Sequence, residues 1–122
     1  MVIEMEVIHV KEIEKRVMPG HGETSLYQQI LGTSTPRPGM TKTITSLWIM
    51  TIKPGGTNKR HVHEDQEQVY FVLEGEGIVE VGEERRKVKA WDVVYLPPKV
   101  PHAFYNDTEA PCLVMGISAK IP

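Results

Sequence analysis

Two histidines one residue apart, His61 and His63, open the polar run His61-Val62-His63-Glu64-Asp65-Gln66-Glu67-Gln68. Side chains on a strand repeat every second residue, so both imidazoles leave one face and can grip a single metal ion. The run continues into an apolar stretch, 69–73, and the turn Glu74-Gly75-Glu76-Gly77, which puts Gln68 on a hairpin strand beside them. A distant partner, His102, lies in Leu96-Pro97-Pro98-Lys99-Val100-Pro101-His102-Ala103-Phe104-Tyr105-Asn106. Proline cannot continue a central ladder, so the chain must turn at Pro97-Pro98 and deliver His102 at the start of another strand. His61, His63, Gln68 and His102 are therefore the candidate metal ligands.

The elements that would position them read as β throughout. Strand signals recur at short spacing, each closed by Gly, Pro or Asn, over 2–10, 26–31, 43–52, 59–63, 68–74, 77–81, 85–89, 93–96, 103–106 and 113–119. A weak helical turn fits 11–17, and residues 32–39, with Pro36 and Pro38, form a loop. Sustained helical periodicity and internal repeats are missing, which predicts an all-β barrel or sandwich. The 122 residues suit one domain, 1–122, with a core but no room for a second. A formal charge of −2 with scattered Lys and Arg argues against nucleic-acid binding. The one cysteine, Cys112, sits in an apolar run; it excludes an intrachain disulfide and reads as a buried thiol in a reducing compartment. The first residues mix acids with single apolar residues, so neither signal peptide nor membrane helix is expected, and the cytoplasm is the default location.

The two histidine-bearing segments resemble the two motifs of the cupin superfamily, whose fold is a small jelly-roll barrel. The first motif spans 55–75: Gly55, five residues, His61-x-His63, four residues, position 68, six residues, Gly75. The second spans 91–106: Trp91, five residues, Pro97-x-Lys99, two residues, His102, three residues, Asn106. The resemblance covers roughly 43–115. Trp91 and Lys99 replace glycines of the family pattern and are expected to change turn geometry or rim shape rather than metal binding. At the position where the family usually has Glu stands Gln68, with Glu67 beside it. Only position 68 satisfies both motif intervals, and 67 and 68 must point to opposite faces of a strand unless a bulge intervenes. The resemblance thus implies Gln68 as the fourth ligand, a three-His, one-Gln set such as ring-opening cupins for unsaturated uronate sugars use.

It also implies one divalent transition metal per chain, among Zn, Ni, Fe, Mn, Co and Cu; imidazole-rich sites suit these, with Mn weaker. Three imidazoles and one amide carbonyl would leave the ion its full charge, favouring Lewis-acid over redox chemistry. Parity nominates the surrounding pocket. If His61 and His63 face in, so does Lys59; Tyr70 and Val72 follow from Gln68, and Phe104 and Asn106 from His102. Lys59, Tyr70 and Phe104 are the candidate substrate contacts, with Lys59 placed to hold a carboxylate. Tyr70 is the nearest candidate for a general base, and Trp48 belongs either to the cavity or to the core. His9 and His21 lie outside both motifs and read as an ordinary strand residue and a Gly-rich loop residue.

The expected function is metal-dependent isomerisation, ring opening, cyclisation or lyase chemistry on a small oxygen-rich or carboxylate-bearing metabolite. A dioxygenase using O2 and a non-catalytic metabolite-binding or sensing module are the alternatives. An exposed edge at 2–10 predicts a homodimer, a state that cupins often adopt.

Overall fold

A computed structural model of the chain describes residues 5–34 and 40–122. Among the described residues ten strands form two antiparallel sheets: β1 (Arg16–Val17), β2 (Ser25–Leu31), β3 (Ile44–Ile52), β4 (Thr57–His61), β5 (Gln66–Glu74), β6 (Glu76–Val81), β7 (Glu84–Lys89), β8 (Val93–Leu96), β9 (His102–Tyr105) and β10 (Cys112–Lys120). One sheet runs β1-β2-β3-β10-β5-β8 and the other β4-β9-β6-β7. Trp48, Met50, Ile52, Tyr70, Val72 and Val114 of the first meet Val79, Val88 and Phe104 of the second in one apolar core. This is the jelly roll, or double-stranded β-helix, that the strand pattern and motif spacing predict. Among the described residues no helix is long and apolar enough to cross a membrane.

The strand signals place several elements closely. Val93–Leu96 is reproduced to the residue, and the 43–52 run begins one residue late as Ile44–Ile52. Gly116 on β10 stands opposite Trp48 on β3 and Tyr70 on β5. A Cβ there would lie 2.2 Å from the indole Cζ2, so only glycine lets the indole lie flat against the strand.

The first run departs from expectation. Residues 1–4 lie outside the described residues, and the remainder of 2–10 carries no strand, only the start of a short 3-10 turn at Val10–Glu12. Gln28 of β2 donates to the carbonyls of Val10 (2.9 Å) and Ile13 (3.0 Å), so a side chain holds this segment where a ladder was expected. The large sheet has β1, two residues long, at one edge and β8 at the other. The 32–39 loop falls partly outside the described residues, at 35–39.

Of the two changes expected at Trp91 and Lys99, the one in turn geometry is not made. Both have positive φ, +78° and +66°, the left-handed conformation that glycine adopts without strain. The backbone needs it: Trp91 N–H donates to the Val72 carbonyl (2.8 Å) and Lys99 N–H to the His63 carbonyl (2.7 Å). A side chain in this region costs about 1–2 kcal/mol, part of which glycine gives back in unfolded-state entropy. Lys99→Gly is therefore expected to stabilise the protein by about 0.5–1 kcal/mol, read from the denaturant midpoint. A lower midpoint would contradict this account of the turn.

Candidate metal centre and cavity

The local fold around β4 decides which side chains turn inward. Asn58 pairs with Phe104 and His61 with His102, so three steps on β4 oppose two on β9. The extra residue is a bulge, and it reverses the alternation. Asn58 and His61 thus both face in, and Lys59 is turned out to solvent. The expected inward Lys59 is corrected on this ground: strict parity fails across the bulge. Asn58 is buried, and its amide donates to the hydroxyls of Tyr27 (2.5 Å) and Ser25 (3.3 Å).

The bulge also orients His61. Its Nδ1 lies 2.6 Å from the Lys59 carbonyl, a contact in which only a protonated nitrogen can donate. The other nitrogen, Nε2, is left bare and lies 3.0 Å from Nε2 of His102. Ring nitrogens of His61, His63 and His102 all come within 4.8 Å of one another. Metal-binding histidines characteristically hand their second nitrogen to a backbone carbonyl in this way.

Electrostatics keep the cluster neutral. Burial pushes the His61 imidazole down to about 4; the Lys59 carbonyl opposes this, and His21 and His63 add to it. Burial again leads for His102, which falls to about 3 with His61 and His63 contributing. His63 is lowered by burial and by His21, with Asp65 opposing. Neutral imidazole is the form that binds metal.

Gln68 lies on the inner face of β5, is buried, and lines the cavity beside His61 and His63. Its carbonyl oxygen has no hydrogen-bond partner among the described residues. Glu67 points the other way and accepts from the Tyr95 hydroxyl (2.9 Å) on the exposed surface. A buried amide oxygen without a donor is costly unless something else fills the role. Three convergent neutral imidazoles beside an unpartnered carbonyl fit a divalent cation.

Tyr70 and Phe104 do face inward, but below the cavity floor in the core. The Tyr70 ring stands edge-on to His102 at 6.0 Å, and burial followed by Tyr27 pushes its phenol well above the ordinary range. A phenol so held does not serve as a base near neutral pH. Asn106 is structural: its amide donates to the Ile52 (3.0 Å) and Ala110 (2.7 Å) carbonyls. Cys112 is buried, and burial raises its thiol to about 11, away from the reactive range.

The cavity holds about 210 Å³, below the roughly 300–1,000 Å³ of drug-sized pockets. Trp48 lines it while also joining the core, so the two readings of that residue are both met. Its indole Nε1 is buried with no acceptor among the described residues. Sequence reasoning missed the remaining wall, notably His21, Gln29, Ser46, Gln66 and Ser118. The signal was available in Ser25-x-Tyr27-x-Gln29 and Ser46-x-Trp48, polar residues sharing a face with aromatic ones. Thr45 donates to Gln66 Oε1 (3.0 Å), so the 2.7 Å contact of Ser118 with Thr45 has Ser118 as donor.

Comparison with known proteins agrees with this architecture. The cupin domain family profile matches residues 48–118, more than half of the chain, and the chain belongs to the cupin family. An uncharacterized protein of Methanocaldococcus jannaschii is 34% identical over 64 residues, 52% of this chain and 51% of that protein. The chain thus spans about half the length of that curated relative. Among solved structures, a predicted oxalate decarboxylase from Thermotoga maritima superposes with a TM-score of 0.83 at 21% identity, covering 95% of this chain and all (100%) of that one. The polyketide cyclase RemF from Streptomyces resistomycificus gives 0.80 at 17% identity, covering 98% and 83%. At these identities the likeness is one of fold.

Proposed function

We propose that this cupin carries one divalent transition metal ion on His61, His63, Gln68 and His102 and acts as a Lewis acid on a small oxygen-rich metabolite. The reaction class is isomerisation, ring opening, cyclisation or lyase chemistry. The observation that carries the reading is the cluster of neutral imidazoles beside the unpartnered Gln68 carbonyl. An ion held by neutral donors keeps its charge and polarises a bound carbonyl or hydroxyl. The protein's own groups would position the substrate: Trp48 Nε1 donates to one of its oxygens, and Ser118 and Gln66 present hydroxyl and amide. Lys59 is outside the cavity, so a substrate carboxylate would be held at the histidines.

Metal analysis after loading, followed by oxygen uptake and product profiling with candidate hydroxy and keto acids, tests the proposal. About one equivalent of metal and turnover without oxygen consumption are expected; oxygen consumed in step with product would replace it by the dioxygenase reading. Metal-bound ligand without turnover would mark a binding module instead.

The register of the fourth ligand is separately testable. Gln68→Ala is expected to lower metal affinity about 10- to 100-fold, while Glu67→Gln leaves it unchanged, because an exposed carboxylate is screened by water. If Glu67→Gln strips the metal and Gln68→Ala keeps it, the neutral-site argument falls.

The chain is also proposed to form a homodimer, on a different surface from the one expected. Trp91, 80% exposed, stands edge-on to Phe71 at 5.4 Å, and Leu73, Val93 and Tyr95 are exposed with it on β5 and β8. Such an apolar strip favours a second copy. Light scattering reporting a monomer at micromolar concentration would contradict it.

A further inference from the structure

The loop before β2 brings to the cavity an imidazole that belongs to neither cupin motif. His21 stands between Gly20 (φ +82°) and Gly22 (φ +93°), so the chain bends on both sides of it. Gly22 has no room to spare on one side: a Cβ would lie 3.3 Å from the Thr57 carbonyl and 3.4 Å from Lys59 Cγ. The loop therefore rests directly on β4. Its backbone is fixed there, since His21 N–H donates to Met18 (3.2 Å) and the His21 carbonyl accepts from Lys59 N–H (3.1 Å). Lys59 is the bulge residue whose own carbonyl orients His61. One short backbone chain thus sets both rings.

The His21 ring is held on three sides. It packs edge-on to His61 (4.3 Å between centroids) and to Tyr27 (5.4 Å), and its Nδ1 lies 3.0 Å from the Pro19 carbonyl. A carbonyl accepts only from a protonated nitrogen, so the neutral ring carries its proton on Nδ1 and Nε2 is a bare acceptor. That nitrogen has no partner among the described residues, and the ring lines the cavity next to His61 and His63. His21 is not one of the three residues whose nitrogens converge within 4.8 Å. It is a neighbour of the centre, not a further member.

We propose that His21 is a ligand-contacting residue: its Nε2 accepts a hydrogen bond from a hydroxyl of the molecule held at the three histidines and selects α-hydroxy carboxylates over plain carboxylates. The inference rests on the metal reading above. The acceptor sits one ring away from His61, so the proton it takes must come from an atom adjacent to the group bound there. An α-hydroxyl is in that position beside a carboxylate. A carboxylate alone has no proton to offer.

The test uses zinc-loaded protein titrated calorimetrically with glycolate and with acetate, which differ by that one hydroxyl. His21→Phe keeps a flat ring against Tyr27 and His61 and removes the acceptor. Zinc content is expected to stay at one equivalent and the acetate Kd within about twofold, while glycolate weakens about tenfold, the loss of one hydrogen bond. Equal weakening of both probes, no weakening of glycolate, or loss of zinc from the variant would each overturn the assignment; the last would make His21 a metal ligand. Parent protein that binds no zinc would overturn the metal reading and this one together. If phenylalanine unsettles the loop, His21→Ala and His21→Gln make the same comparison. Glutamine restores an acceptor oxygen and should recover part of the glycolate preference that alanine loses. The same preference in both would refute the proposal.

Discussion

Replacing His102 by alanine is expected to leave less than about a tenth of the parent's metal after loading with zinc and dialysis. His102 is the innermost of the three imidazoles, 2% exposed, with Nε2 3.0 Å from that of His61. Its loss removes the ligand least replaceable by water. A ligand that binds only the folded state stabilises it by about 4 kcal/mol at a thousand times its Kd. In a domain of this size that corresponds to roughly 10–20 °C in Tm, a gain that the parent should show on adding zinc and the variant should lack. Acid works against the metal-free parent with a definite sign. Folded His61 and His102 take up protons only near 4 and 3, whereas the unfolded chain does so near the ordinary value of about 6.5. Stability is therefore full above about pH 6.5 and falls as the pH drops below it. Zinc retained at one equivalent by His102→Ala, or a parent Tm indifferent to zinc, would refute the centre.

The second large effect is expected at a position with no chemistry. Gly116→Ala would press a methyl 2.2 Å from Trp48 Cζ2 and 2.4 Å from Cε2. The indole cannot retreat easily, being stacked on Tyr27 (6.3 Å, 20°) and edge-on to Tyr70 (6.3 Å, 88°). Overpacking of this kind costs about 3 kcal/mol, the upper part of its usual range. Trp48→Leu makes room, so the double variant should be less destabilised than the two singles predict, by about 1–2 kcal/mol in a thermodynamic cycle. A single variant within about 0.5 kcal/mol of the parent would show that the wall is softer than the packing implies.

The fold was legible because the chain alternates cleanly wherever a strand buries one face. Burial alternates in this way along β5 and β10. The three histidines that converge were legible from their spacing. Depth was not. Parity tells which face of a strand a residue occupies, but not whether it reaches the cavity or the core beneath. Tyr70 and Phe104 share the inner face with Gln68 and His102, yet they pack below the floor. Lys59 failed for a different reason, since a bulge is a matter of two strands' relative lengths and leaves no local mark on one of them. His21 lies forty residues before His61, and only the folded chain joins them. Its flanking glycines were the one visible hint.

The four side chains proposed for the centre share a property with consequences for the whole molecule. Three imidazoles kept neutral and one amide include no carboxylate to cancel an incoming ion and no thiol to give up a proton. The chain's formal charge is −2 at pH 7, so a divalent ion seated there brings it to zero. The loaded protein would then stand near its isoelectric point at neutral pH. Electrophoretic mobility would almost vanish, and the mutual repulsion that keeps copies apart would go with it. Metal supply would in this way govern colloidal behaviour, and the strip around Trp91 is where weakly repelling copies would first meet.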